Sequence, residues 1–407
     1  MSDLFAQHAL IIVSLVKIAV LLFLLLTSLA YLVWFERKVA AHIQRRVGPY
    51  RVGPHGLLQP LADAVKFLMK EDTTPSGADR FVFFLAPFLT MTLALSAIAL
   101  IPFGPGTIRI LGQSTLLVVA NANAGLLVIF ALTSIGVYGV ALAGWSSNSK
   151  YSLLGGLRSS AQMVSYELSL TLSVVGVLLL AGTFNLTEII QAQSGYTWGF
   201  LPKWNLLSPI LPQILGLFCY FVAAIAETNR LPFDLAEAET ELVAGFHTEY
   251  SSFKFAMFFL AEYASMVTVA FLAIILFFGG WLSPFPQTSA FAWTHYLPTA
   301  SFAIAGIALV IHGLRYQTLW GKIYLPLLGL LLCALSAAFV LPGMIDIVQG
   351  PFWLLLKVFI MLFVYVWVRW TLPRFRYDQL MAIGWKFLFP LSLANVILTS
   401  FAMVIRK

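Results

Sequence analysis

Seven of the 17 acidic residues fall in one stretch, 227–262, which reads ETNRLPFDLAEAETELVAGFHTEYSSFKFAMFFLAE: Glu227, Asp234, Glu237, Glu239, Glu241, Glu249 and Glu262. The sequence on either side is apolar enough to lie in a bilayer. A carboxylate at the bilayer centre costs about 2.5–3.5 kcal/mol even on lenient insertion scales, so it is retained where it faces a protein interior or a watery cavity. Burial there favours the protonated form, and a cluster of such groups is the raw material of a proton path. The plain alternative is a polar loop between two helices. Glu167 extends the pattern. It lies nine residues beyond Arg158, about 13 Å along a helix, and Glu262 lies eight beyond Lys254, about 12 Å. The two acids are therefore expected at similar depth on different helices. Between them, Pro232 suits the first turn of a helix with Asp234 near its positive end, and Glu237 and Glu241 would share a face with Glu239 turned away. Arg230 is the nearest cation to this group.

The elements that must hold these acids are membrane helices. Sixty per cent of residues are hydrophobic and only 10% charged, with a mean hydropathy of +0.91, whereas about a quarter of a soluble domain is charged. Apolar runs of about twenty residues recur near 10–35, 80–101, 121–143, 159–181, 210–226, 254–281, 298–314, 323–342, 352–372 and 384–404. The expected fold class is an all-α polytopic bundle of about ten spans, forming a single integral membrane domain over 1–407. The first run is too long for a signal-peptide core and reads as a retained span. Eighteen of the 24 Lys and Arg residues sit in alternate loops, 36–80, 144–158, 227–254, 315–322 and 369–386. The positive-inside rule then puts those loops in the cytoplasm and both termini outside. This placement accounts for the net charge of +7 without nucleic acid.

Several chemistries find no support. Cys219 and Cys333 are far apart and form no CxxC or iron–sulfur spacing, and the six histidines are scattered. No Walker A loop or strand-linked GxGxxG is present. The chain is expected to bind no metal and no redox cofactor of its own.

The first basic loop is shaped by Gly48-Pro49 and Gly53-Pro54. Beyond them, near 57–70, Leu57, Leu61, Ala64, Val65 and Leu68 recur at helical spacing, with Asp63, Lys66 and Lys70 on another face. That pattern predicts an amphipathic helix along the membrane interface. Glu36 and Arg37 close the first span, Arg369 lies at the end of the ninth, and Arg374 and Arg376 follow it. Lys17 and Lys357 lie near the outer surface, where they are expected to snorkel without further role.

Four segments carry a resemblance in a fixed order: ERKVAAHIQRRVGP through GLLQPLADAVKFLMKE, GWSSNSKYSLLGGLRSSAQMVSYE, AETNRLPFDLAEAETELVAGFHTEYS, and LPRFRYDQLM. Together the chain resembles the H-type subunit (subunit 1 in mitochondria) of the proton-translocating NADH:quinone oxidoreductase, respiratory complex I. The resemblance implies a bacterial inner-membrane translocase component, a heel between the peripheral redox arm and the pumping arm. It implies quinone as substrate, with Glu36, Arg37, Asp63, Arg230, Glu237, Glu239, Glu241, Arg369 and Arg374 around the quinone chamber. Glu167, Glu227 and Glu262 would form the intramembrane proton path. Iron–sulfur subunits, small and antiporter-like membrane subunits and the lipid bilayer are the implied partners.

Two departures stand out. Tyr50 replaces a common Asn in GPNRVGP, and 283–350 interrupts a family of usually eight spans with an inserted helix pair. The pair is expected at the periphery without catalytic groups. Competing readings are the equivalent subunit of a membrane-bound hydrogenase-type or ferredoxin-linked complex, a stand-alone cation/proton transporter, or a docking scaffold. A stand-alone transporter would predict an internal repeat, and none is evident.

Overall fold

The computed structural model describes residues 2–110, 113–234, 243–286, 288–341 and 343–405. Among them, nine helices are long and apolar enough to cross a membrane, and a tenth, Ile214–Glu227, is shorter. In chain order these are α1 (Ser2–Ile43), α3 (Arg80–Ile98), α4 (Gly125–Ser146), α5 (Lys150–Ala181), α7 (Ile214–Glu227), α8 (Ser252–Phe277), α9 (Leu297–Leu314), α10 (Leu319–Phe339), α11 (Met344–Thr371) and α12 (Tyr377–Ile405). Among the described residues the bundle is all-α apart from two short antiparallel hairpins, Thr107–Ile110 with Gln113–Leu116 and Tyr196–Thr197 with Leu201–Pro202. Backbone groups have no water to bond in lipid, so helices satisfy them internally.

Two short helices also occur among the described residues, α2 (Gln59–Met69) and α6 (Leu186–Ala192). None of α2 is buried, and Leu61, Val65 and Leu68 are exposed on one side. This is the amphipathic interfacial helix that the spacing predicts.

Helix α8 is the centre of the bundle. Every residue from Met266 to Phe277 is buried, as suits a helix apolar on all sides and surrounded by others. Small residues bring its neighbours close. A Cβ on Gly144 of α4 would stand 3.1 Å from Gly156 Cα of α5, and one on Gly139 would meet the side chain of Thr90 on α3 at 2.4 Å. Such contacts replace the hydrophobic drive that lipid cannot supply. The α9–α10 pair packs chiefly on itself, with Gly306 and Gly329 each closing on the other's carbonyl, and its outer faces are exposed.

The five basic loops meet at one end of the bundle. Asp79 N–H donates to Ser146 O, Thr73 N–H to Ser251 Oγ, and Lys254 Nζ lies 3.0 Å from Asp72. Phe375 N–H donates to Pro232 O, and His312 and Tyr316 reach His55. At the opposite end, Lys357 does not snorkel. It is half-buried and donates to Phe278 O, Gly280 O and Leu282 O, closing the C-terminal end of α8.

Candidate functional site

The turn after α7 sets the geometry. Asn229 takes the left-handed conformation, φ 49°, which Asn tolerates better than most residues. Its side chain donates to Ser159 Oγ, while Gln162 Nε2 donates to both Ala226 O and Phe233 O. The chain thereby reverses against α5 and returns Arg230 to the interior. Pro232 lies in this turn, and Asp234 is the last described residue before 243. A second turn, Gly245–His247, packs where Gly155 of α5 has no side chain. A Cβ on Gly155 would meet Gly245 Cα at 2.6 Å, so glycine is required for this approach.

These two turns and α8 bring ionisable groups together. Arg230 Nη2 is 3.7 Å from Glu262 Oε2, and His247 Nε2 is 3.6 Å from Glu262 Oε1. Arg230 also lies 4.2 Å above the Tyr263 ring, a cation–π contact. Tyr263 OH donates to Glu36 Oε2 at 2.6 Å, and Arg369 bonds the other oxygen of Glu36. Contacts therefore run without a break from Arg369 on α11 through Glu36 on α1 and Tyr263 on α8 to Arg230, Glu262 and His247. Glu36 and Arg230 are each only 4% exposed, so both charges are compensated inside protein rather than by solvent.

Beyond Glu262, a cavity of about 70 Å³ is lined by Glu227, Asn229, Glu262 and Ser265 among mainly apolar residues. It is large and polar enough to hold water. Glu227 Oε2 is buried with no hydrogen-bond partner among the described residues. Glu167 is within electrostatic reach of Glu227 and accepts a hydrogen bond from Ser134 of α4. The three intramembrane acids thus lie along one internal line, on α5, α7 and α8.

The outer residues of the expected set form separate ion pairs. Arg37 Nη1 bonds Asp63 Oδ2 at 2.7 Å, with Gln59 and Lys66 beside it. Partial burial raises the Asp63 carboxyl pKa, but the Gln59 hydrogen bond and the Arg37 and Lys66 charges outweigh it and hold the group below its ordinary value. Arg374 Nη2 is 3.5 Å from Asp234 Oδ2. Arg230, the nearest cation in sequence to that cluster, reaches Glu262. Glu237, Glu239 and Glu241 lie outside the described residues. Among the described residues no cluster of three metal-ligating side chains occurs. Sequence reasoning missed His247, Tyr263 and Ser134. Two left a trace, since His247 is the one histidine in the acidic stretch and Tyr263 adjoins Glu262; for Ser134 the sequence suggests only that Glu167 could bond a neighbouring Ser or Tyr and lock a helix pair, as it does here.

A family described as NADH dehydrogenase matches residues 16–400. The chain belongs to the H-type subunit family of NADH-quinone oxidoreductase. Relatives carrying that name include the H-type subunit numbered 1 from Solibacter usitatus, 50% identical over 391 residues and 96% of each chain. The H-type subunit numbered 2 from Koribacter versatilis is 48% identical over 406 residues, 97% of this chain and 98% of the relative. Subunit 8 of NADH-quinone oxidoreductase from Rhodothermus marinus is 45% identical over 381 residues, 94% of each. In this member of the H-type family the ionisable line is carried on membrane helices and the turns between them.

Proposed function

We propose that this chain is a non-redox membrane subunit of a proton-translocating NADH:quinone oxidoreductase. It forms part of the chamber that admits quinone and carries the carboxylates that couple quinone reduction to proton movement. The observation that supports this best is the unbroken line Arg369–Glu36–Tyr263–Arg230–Glu262–His247, continued across the cavity to Glu227 and Glu167. It joins the loop end of the bundle to Glu227, whose Oε2 is buried without a hydrogen bond among the described residues, and to Glu167 beyond it. The names of the relatives favour an NADH-quinone enzyme over a hydrogenase-type complex.

In this reading Glu36, Arg37, Asp63, Arg230, Arg369 and Arg374 border the quinone chamber, together with Glu237, Glu239 and Glu241. Quinone reduction takes up protons and changes the field at the Glu36–Arg369 end. Glu262, held by Arg230 and His247, responds by exchanging a proton with Glu227 through the cavity, and Glu167 passes it onward. In the same reading the basic loops face the cytoplasm of a bacterial cell and both termini lie outside, a placement the Lys and Arg bias supports. Electrons arrive through iron–sulfur subunits docked on the loops, and protons leave toward small and antiporter-like membrane subunits. The chain is one membrane domain in which 283–350 is an added pair at its edge.

The test is Glu262→Gln and Glu227→Gln in the assembled complex. Each is expected to lower quinone-linked NADH oxidation or its proton pumping at least tenfold with subunit content unchanged. Normal coupled turnover in both variants would overturn the reading.

A further inference from the structure

A long crevice at the rim of the bundle is unused by the proposed mechanism. It runs between α1, α8, α11 and the segment 115–119, and its volume is about 1000 Å³. On α1 its lining extends from Val16 to Phe35 at helical spacing, about 28 Å along the axis. That matches the roughly 30 Å hydrocarbon thickness of a bilayer. The walls are almost wholly apolar, built from residues such as Leu24, Phe271, Val358 and Leu362.

The end of the crevice away from the clustered loops is different. Lys17 lines it and donates to Leu116 O and Val118 O at 2.9 and 3.1 Å. An ammonium has three donors, so one remains. Thr115 also lines this end, and its Oγ1 is buried with no partner among the described residues. No carboxylate among the described residues lines the crevice to balance the lysine. A cation and an unsatisfied hydroxyl at the mouth, above a membrane-deep apolar trough, complement a phosphodiester with a hydrocarbon tail.

We infer that the crevice between α1 and α11 is a binding site for an anionic phospholipid, its phosphate held by Lys17 and Thr115 and an acyl chain laid along α1. A quinone carries no anion to match Lys17, and the groups assigned to the quinone chamber gather at the opposite end. The inference does not rest on the proposed function. The leaflet, outer by the charge bias, follows from the orientation and not from the site itself.

The experiment compares the whole complex, purified in mild detergent and washed, from the unaltered chain and from Lys17→Arg, Lys17→Gln and Thr115→Val. Retained phospholipids and quinone are extracted and counted by mass spectrometry. The unaltered complex and Lys17→Arg are expected to keep one more anionic phospholipid per complex than Lys17→Gln. Thr115→Val, which leaves the lysine contacts intact, is expected to release that lipid at a milder wash. Equal phospholipid in all four would overturn the site, as would loss of quinone with phospholipid unchanged. Cross-linking of a Leu24→Cys variant to a neighbouring subunit in the intact complex would also overturn it, because a protein helix would then fill the crevice.

Discussion

The α5–α7–α8 interior and the α9–α10 pair are built from equally apolar sequence yet hold charge in opposite ways. The interior contains Glu167, Glu227, Arg230 and Glu262, each set among protein groups. The 297–339 segment contains no Asp or Glu at all, and its two Lys and Arg residues lie at the connecting turn and the first turn after it. Its helices expose Ile304, Ile307, Leu327 and Leu330 to the surroundings, where lipid makes the best solvent. The contrast separates two uses of a membrane helix. One is a wall that only needs to be greasy and close-packed. The other holds ionisable groups at a cost that only compensation or function can offset.

That difference can be broken most sharply at Arg230. Arg230→Ala leaves the Glu262 carboxylate without its guanidinium, and removing one partner of a buried pair costs about 3–5 kcal/mol. The expected result is a complex with a clearly lowered melting temperature, largely restored in Arg230→Gln/Glu262→Gln. An additive double variant would argue against the pairing. Arg369→Ala is expected to do less. Glu36 keeps the Tyr263 hydroxyl, and a charge-assisted hydrogen bond is worth about 1.5–3 kcal/mol. Its main readout is a raised apparent KM for a short-chain quinone, with assembly retained.

On the other side, Gly329→Leu is expected to force α10 away from the Gly306 carbonyl of α9 while leaving pumping per electron within about twofold of normal. A large loss of coupling would bring the pair into the mechanism. The pair does touch the loops at one point, where His55 Nε2 and His312 Nε2 are 2.7 Å apart. Burial first, then His312 and Lys38, lower the His55 pKa, so the folded turn prefers the neutral ring. A folded value below the unfolded one, near about 6.5, means the contact is intact above that pH and weakens as pH falls through the window beneath it. Tyr50 and Tyr316 also face His55. Hydrogen exchange at 54–57 should accelerate on acidification, and His312→Ala should flatten that dependence. The smallest effect belongs to Asp63→Asn, because Arg37–Asp63 is a partly exposed ion pair worth about 0–1 kcal/mol. Thermal shifts of the complex should barely register it.

The spans were legible because the bilayer imposes a length that any twenty-residue apolar run displays. The acids were legible for the same reason in reverse, since Glu167 and Glu262 interrupt runs that lipid would keep clean. What the sequence could not reveal was who meets whom. Arg230 stands four residues from Asp234, yet the reversal at Asn229 brings it to Glu262, while Asp234 meets Arg374 on a segment 140 positions away. Lys357 looked like a snorkelling lysine because the carbonyls it meets belong to another helix end. Periodicity describes one helix at a time, and these contacts depend on turns and on glycine approaches such as Gly155 against Gly245.

The central claim is that Glu227 gains and loses a proton as quinone is reduced and reoxidised. Infrared difference spectra of the purified complex, quinone-reduced minus quinone-oxidised, read the carboxylic C=O stretch directly. A band that shifts in heavy water and disappears in Glu227→Gln is the predicted result. An unchanged carboxyl band in that variant would contradict the account.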